Sequence, residues 1–215
     1  MTNRSSARDQ NTTPFSEILE RLRAAAGARS TALVDAEGET VDYSGRGDPF
    51  NIRILAAEWR LVLQHLKETK ILGASYELVV RAHDKSFLVE SLPEGYALVV
   101  ELARRSTGVS DRALSEARKR LLAEAGFPSE EDPRGNWSHV LIEEEPGNSR
   151  RPLRMETEEE RQEVTVLGRI PNPNLQNERS FRVRLGNGQE CTLVREPLGN
   201  WYREEEDWTP QSRVR

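Results

Sequence analysis

The chain has 215 residues, a net charge of −5 and a single cysteine. One cysteine excludes an internal disulfide and a multi-cysteine zinc site, and it makes a reducing cytoplasm the simplest location. The acidic balance and the lack of a long Lys/Arg run argue against nucleic-acid binding. No run approaches the ~18 apolar residues of a membrane span, so we expect no membrane insertion.

The first ordered element is predicted to be a helix over Phe15–Ala26, which follows a polar N-terminus, residues 1–12, that we expect to be disordered. Thr13 is a good capping residue, and Pro14 is tolerated at the first helical position. Two strands around a glycine-containing turn are predicted next, at Thr31–Asp35 and Glu39–Tyr43.

A second, longer helix is predicted to begin at Asp48-Pro49 and to end at Gly73. Apolar residues at spacings of three and four form one face of it: Ile52, Leu55, Ala56, Trp59, Val62, Leu63 and Leu66. Ile54 and Leu61 lie on a second ridge, seven residues apart. Two interpretations are open: the helix is buried on both sides, or the second ridge packs on another copy of the protein.

Three short apolar runs separated by tight turns predict an antiparallel meander: Tyr76–Ala82, Phe87–Leu92 and Tyr96–Leu102. Both faces of these strands are partly apolar, so the sheet needs cover on both sides. A third helix is predicted after Thr107 or Ser110 and ends at Gly126. The element order is therefore αββαβββα, and the predicted fold class is α+β with helices on both faces of a sheet.

Composition changes at Pro128, where we predict a linker, residues 128–136, then a small β-rich extension or domain, residues 137–208, and a tail, residues 209–215. Its predicted strands are Trp137–Glu145, Val164–Leu167, Phe181–Leu185 and Cys191–Val194. Gly186-Asn187-Gly188 is a hairpin turn between the last two. The charged run Glu156–Arg161 is either a solvated face or a flexible joint. Three aromatic residues either complete a core or are exposed anchors for a partner: Trp201, Tyr202 and Trp208.

No residue pattern indicates chemistry. His65, His83 and His139 share no short ligand spacing, which argues against a metal site. Cys191 lies in a predicted strand, where a packing role is expected. The glycine pairs at 45–47 and 186–188 lack the Gly-x-x-x-x-Gly-Lys-Ser/Thr pattern of a phosphate loop. We therefore expect a protein that is not an enzyme, with no catalytic, cofactor-binding or metal-binding residues and no cofactor.

Over about residues 14–127 the chain resembles the roadblock family of dynein light chains and small-GTPase regulators. The resemblance rests on the first helix, on the Leu33-Val34-Asp35-x-x-Gly38 turn that follows it, and on the meander ending in Gly95-Tyr96-Ala97-Leu98-Val99-Val100. It implies that residues 13–127 form a roadblock-like dimerisation domain, with a five-stranded antiparallel sheet, one long helix on one face and two on the other. It also implies dimers that join sheets edge to edge and pair their second helices. The implied interface residues are Ile54, Leu61, Tyr76 and Leu78.

Bacterial members of this family act with a Ras-like small GTPase, as in the gliding-motility polarity switch, where the dimer stimulates GTP hydrolysis without an arginine finger. The resemblance thus implies a non-catalytic homodimeric regulator or scaffold of such a GTPase. The partner would meet the exposed side of the paired second helices, at Arg53, Arg60, Gln64 and Lys67.

Two alternatives are open. One is a structural adaptor that links partners without affecting a GTPase. The other is a ligand sensor, for which the sequence offers no polar cluster. Three roles are open for the appended β module: it lengthens the scaffold, recruits a second protein, or occludes the GTPase-facing surface.

Overall fold

The computed structural model describes residues 11–69, 76–103, 109–128, 132–147, 150–157, 160–171 and 178–205. The chain divides into two compact units, Met1–Glu130 and Glu131–Arg215. Each unit has its own cluster of buried apolar side chains. Most of the predicted disordered N-terminus and all of the predicted tail lie outside the described residues, as do Gly73, Thr107 and Trp208. The α+β class predicted from the sequence is confirmed.

The first unit opens with helix α1, Pro14–Ala25. Thr13 is its N-cap: the Thr13 hydroxyl accepts a hydrogen bond from the Ser16 amide at 3.1 Å, and the Ser16 hydroxyl accepts one from the Thr13 amide at 2.9 Å. This reciprocal pair satisfies two amides that a helix start leaves open. Gly27 ends the helix with a φ of 59°, a conformation that glycine adopts without strain.

Five strands of the first unit form one antiparallel sheet in the order β2-β1-β5-β4-β3. The strands are β1 Ser30–Val34, β2 Thr40–Gly45, β3 Glu77–Arg81, β4 Ser86–Ser91 and β5 Ala97–Leu102. The meander predicted from the sequence corresponds to β3, β4 and β5, which pair with their chain neighbours. The central strand β5 is buried at every position, because helices cover both faces. Strands β2 and β3 are the two edges.

Helix α2, Pro49–Glu68, lies on one face of the sheet. The Asp48 carboxylate caps it by accepting a hydrogen bond from the Phe50 amide at 3.2 Å. The prediction that the helix extends to Gly73 is wrong. The helix ends at Glu68 because Thr69 turns to an extended conformation, and its amide bonds to the Leu66 carbonyl at 3.0 Å instead of continuing the helical ladder.

The other face of the sheet is covered by α1 and by helix α3, Asp111–Glu124, which packs against α1. The Thr31 hydroxyl of β1 donates to the Leu19 carbonyl of α1 at 2.9 Å. On the α3 side, the Arg118 guanidinium meets the fully buried Glu90 carboxylate of β4 at 3.1 Å. Ser110 caps α3 by accepting a hydrogen bond from the Ala113 amide. The polar contacts of this face thus fix both helices on the sheet.

The second unit is a closed six-stranded antiparallel barrel in the order β10-β11-β6-β7-β8-β9. Its strands are β6 Trp137–Glu144, β7 Pro152–Glu156, β8 Arg161–Ile170, β9 Arg179–Leu185, β10 Glu190–Arg195 and β11 Trp201–Glu204. Each strand pairs with its chain neighbours, and β11 closes the barrel by pairing with β6. The four strands predicted from the sequence correspond to β6, β8, β9 and β10, although β6 ends one residue before the predicted end at Glu145.

The interior of the barrel shows where the aromatic residues and the cysteine of the second unit lie. Trp201 is buried in the core and Tyr202 is fully buried, so the core interpretation holds for both, whereas Trp208 is not described. Cys191 packs in the same core. The charged run Glu156–Arg161 joins β7 to β8 in a hairpin, in which the Thr157 amide donates to the Glu160 carbonyl at 2.9 Å. Of the two described residues between these strands, Glu160 is exposed and Thr157 is partly exposed.

Candidate functional site

The outer side of α2, away from the sheet, carries an apolar stripe, which we call the α2 stripe: Phe50, Ile54, Ala57 and Leu61. Its three large side chains are exposed, by 61% for Phe50, 46% for Ile54 and 51% for Leu61. At 100° per residue these positions lie opposite the buried Ile52, Ala56 and Leu63. The interpretation that α2 is buried on both sides is therefore wrong within a single chain.

The spacing of the α2 stripe, four then three then four residues, is that of a seam between two packed helices. Scattered single apolar side chains on a surface are ordinary, whereas a continuous row along a helix marks an interaction surface. Sequence reasoning found Ile54 and Leu61 but missed Phe50, and it placed the exposed Val62 on the core face. The position of Phe50, four residues before Ile54, is the signal that extends the row.

The edge strand β3 is the second open surface of this unit. It pairs only with β4 among the described strands, and its middle residues, Leu78, Val79 and Val80, are apolar. Val79 is exposed, and so is Tyr76 just before the strand, whose carbonyl accepts a hydrogen bond from the Ser91 amide at 2.7 Å. Leu78 is half-buried against the core beneath α2. Unpaired backbone groups along such an edge are a template for another strand.

The opposite edge, β2, is occupied by its own side chains. The Tyr43 amide donates to the Asp42 carboxylate at 2.7 Å, and the same carboxylate accepts a hydrogen bond from the Thr13 hydroxyl at the start of α1. Asp42 is itself buried. Of the two edges of the described sheet, β3 is thus the one that is free to extend the sheet.

The four residues predicted to bind a partner, Arg53, Arg60, Gln64 and Lys67, lie together on one flank of α2, which we call the α2 flank. Arg60 donates from Nε to the Asp35 carbonyl at 3.2 Å and from its terminal nitrogen to Gln64. The Lys67 ammonium donates to the Ser91 hydroxyl, and the Arg53 guanidinium lies 5.9 Å from the centre of the Tyr43 ring.

These contacts hold the α2 flank against the β1–β2 turn and the end of β4. Burial, and then the charge of Arg60, lower the pKa of Lys67 from its ordinary value. Gln64 and Lys67 are exposed, whereas Arg53 and Arg60 are only half so. The contacts of Arg53 and Arg60 within the unit therefore hold both guanidinium groups in place before any partner docks.

Buried charges elsewhere in the first unit are structural. Besides Glu90, the buried Glu101 of β5 accepts a hydrogen bond from the Ser30 hydroxyl at 3.0 Å and lies 3.6 Å from the Lys85 ammonium. A groove of about 490 Å³ runs between α1 and β2, but the Glu20 carboxylate that lines it is already bound to Arg23 and Ser44. The Arg23 hydrogen bond is the main reason why the pKa of Glu20 is lowered.

Within the described residues, no group of three or more His, Cys, Asp or Glu side chains is arranged to hold a metal ion. None of the described helices combines the length and the hydropathy needed to cross a bilayer. The surfaces that stand out on the described part of this unit are the α2 stripe, the β3 edge and the α2 flank.

No family model matches the chain, and no curated protein does. Among solved structures, the chain is similar to MglB of Myxococcus xanthus, at 18% identity and a TM-score of 0.47 over 54% of this chain and 98% of that one. It is similar to the gliding protein MglB of Thermus thermophilus, at 20% identity and a TM-score of 0.45 over 54% and 94%. It is also similar to a roadblock/LC7 domain of Streptomyces avermitilis, at 16% identity and a TM-score of 0.38 over 50% and 93%. The chain is thus similar to roadblock-type proteins over about half of its length.

Proposed function

We propose that this chain is a non-catalytic homodimeric regulator of a Ras-like small GTPase. The observation that carries the proposal is the pair of open surfaces on the first unit, the α2 stripe and the β3 edge. Both suit pairing with an identical copy, because a two-fold axis brings each surface against itself. The GTPase as partner is what the resemblance to the roadblock family implies.

A stable dimer requires contact through both surfaces. Burying the exposed half of each large side chain of the α2 stripe contributes about 1 kcal/mol, hence about 6 kcal/mol for the six side chains of a dimer. Association costs about 4–15 kcal/mol in lost translational and rotational freedom. Helix pairing alone is therefore marginal. Joining the β3 edges adds backbone hydrogen bonds along the five residues of each strand, and the two contacts together give a stable dimer.

The paired helices would present two α2 flanks to the partner. Each α2 flank carries three basic residues in a chain whose net charge is −5, which suits an acidic patch on the partner. Arg60 and Arg53 are engaged with Asp35 and Tyr43 of their own unit. This engagement supports a regulator that rearranges the GTPase's own residues and inserts no arginine into its active site.

The proposal is tested by GTP turnover. The turnover of a Ras-like small GTPase from the same organism is measured with and without the full-length protein; a GTPase encoded beside this chain, if there is one, is the first to be assayed. We expect faster turnover and binding that depends on GTP. The matched variants are Lys67→Glu and Gln64→Glu on the α2 flank, with Glu58→Gln elsewhere on α2 as the control. Unchanged turnover together with equal binding to the GDP and GTP forms contradicts the proposal.

A second candidate is an adaptor that links partners without affecting a GTPase. The barrel favours it, because a second unit with its own core offers a second binding surface. The same assay separates the two candidates: an adaptor binds the GTPase without changing its turnover, or does not bind it at all.

A further inference from the structure

Strand β8 has the longest stretch of one-sided pairing among the described strands of the barrel. Strand β8 has ten residues and β7 has five, and β7 pairs with β8 only at Arg161–Glu163. From Val164 to Ile170, β8 pairs with β9 on one side. On the other side no strand of the described residues pairs with it. We call Thr165–Ile170 the β8 free edge.

The β8 free edge is open to solvent. Thr165 and every residue from Leu167 to Ile170 are exposed, with Leu167 at 41% and Ile170 at 38%. Antiparallel pairing places the ends of β6, β8 and β10 and the starts of β7, β9 and β11 at the same end of the barrel. Among the described residues of this unit, five large apolar side chains are exposed, and four of them lie at that end: Leu153, Leu167, Ile170 and Leu198. Leu167 and Ile170 of β8 itself and Leu153 of the neighbouring strand β7 therefore place apolar side chains at this edge.

The charge beside this edge is positive. Arg169 is exposed and has no ion pair among the described residues, and the same is true of Arg151 at the same end of the barrel. On the neighbouring strand β9, the outward-facing Arg182 and Arg184 share a single carboxylate, that of Glu190, at 3.3 and 2.7 Å. An acidic group that approaches this edge would be attracted.

The identity of the occupant follows from the backbone. Only an extended chain presents amides and carbonyls at the spacing of an unpaired strand. A second copy of β8 is a poor occupant, because two-fold pairing of this edge would bring two unpaired Arg169 side chains close together.

We propose that the β8 free edge binds an extended segment of a partner protein, which adds a strand to the barrel and places an acidic residue beside Arg169 between apolar residues. The segment spans about six residues, the length of the edge. This inference is independent of the GTPase, because it concerns the other unit. It assigns the barrel the role of recruiting a second protein.

The test is selection of a phage-displayed library of 12-residue peptides on the full-length chain. Enriched peptides are expected to contain Asp or Glu between apolar residues. In fluorescence anisotropy, Arg169→Glu is expected to raise the dissociation constant of the tightest-binding synthetic peptide about tenfold, because the charge reversal turns attraction into repulsion. Arg161→Glu, a charge reversal at the start of the same strand and outside the β8 free edge, is the control and should change binding less than about twofold.

Hydrogen exchange on the full chain locates the site. Bound peptide should slow exchange of the amides from Thr165 to Ile170 and leave the first unit unchanged. If Arg169→Glu alters the circular dichroism of the chain, Arg169→Ala replaces it, with a smaller loss expected. The inference is overturned if no peptide is enriched, if the variant binds equally well, or if protection appears elsewhere. It is also overturned if light scattering shows that Arg169→Glu abolishes self-association of the chain, because the occupant is then a second copy.

Discussion

Replacing Ile54 or Leu61 with aspartate separates folding from dimerisation. In the single chain both side chains are about half exposed, so the carboxylate stays hydrated and the free energy of unfolding should change by less than about 1 kcal/mol. In a dimer the same carboxylate would enter an apolar contact between two α2 helices. Burying it there without a partner costs at least about 2 kcal/mol. The two-fold axis doubles that cost to about 4 kcal/mol, which weakens association about a thousandfold.

Multi-angle light scattering over a range of protein concentrations measures this effect, and urea unfolding checks the fold. The matched control is Val62→Asp, which makes the same kind of change on the same helix about 100° around its axis from Leu61. We expect the control to stay dimeric and Ile54→Asp and Leu61→Asp to be monomeric with nearly unchanged unfolding. If both variants remain dimeric at micromolar concentration, the α2 stripe is not the interface.

Two further predictions concern stability. Gly45→Ala should lower the free energy of unfolding in urea by about 1–3 kcal/mol, because a Cβ there would lie 2.6 Å from the Ser30 Cβ. Gly47→Ala is the control and should change the free energy little, because its Cβ would meet nothing within 4 Å. Equal effects of the two variants would refute the close approach at Gly45. Burial raises the pKa of Glu144, but hydrogen bonds led by that from Arg195 outweigh it and lower the pKa overall. The ionised Glu144 carboxylate therefore contributes to stability at pH values above the ordinary glutamate pKa of about 4.3, and this contribution is lost as the pH falls through the lower pKa of the folded state. Glu144→Gln should then make the stability of the barrel fall less steeply on acidification. A variant whose stability falls in parallel with that of the wild type would contradict this.

The parts of the fold that depend on neighbouring residues were predictable from the sequence. Caps at Thr13, Asp48 and Ser110 and turns at Gly27 and Gly188 use local hydrogen bonds and backbone conformations. The meander was predictable because its strands are consecutive. The end of α2 was not predictable, because it depends on the Thr69 amide bonding to the Leu66 carbonyl and not on Gly73.

The missed elements depend on distant partners. Strand β7 has only Pro152 and Met155 buried, so no alternating pattern predicts it. Strand β11 is four residues long, with adjacent residues Trp201 and Tyr202 both buried, and it is a strand because it pairs with β6. Closure of the barrel is likewise a contact across the whole unit.

The candidate site divides in the same way. The ridge of Ile54 and Leu61 was found from helical spacing, but its exposure was not, because exposure depends on which face the sheet covers. Which sheet edge is free depends on Asp42 and Thr13, residues 29 apart in the chain that meet only in the fold. The β8 free edge follows from the unequal lengths of two strands, one of which the sequence does not predict.

Regulation of a GTPase by the dimer is tested most directly by single-turnover GTP hydrolysis by a Ras-like small GTPase, with the full-length wild-type chain and with its Ile54→Asp variant, which we expect to be monomeric. We predict that the wild-type dimer accelerates hydrolysis and that the monomer does not. A wild-type chain that neither accelerates hydrolysis nor distinguishes the GTP-bound from the GDP-bound form would contradict this role.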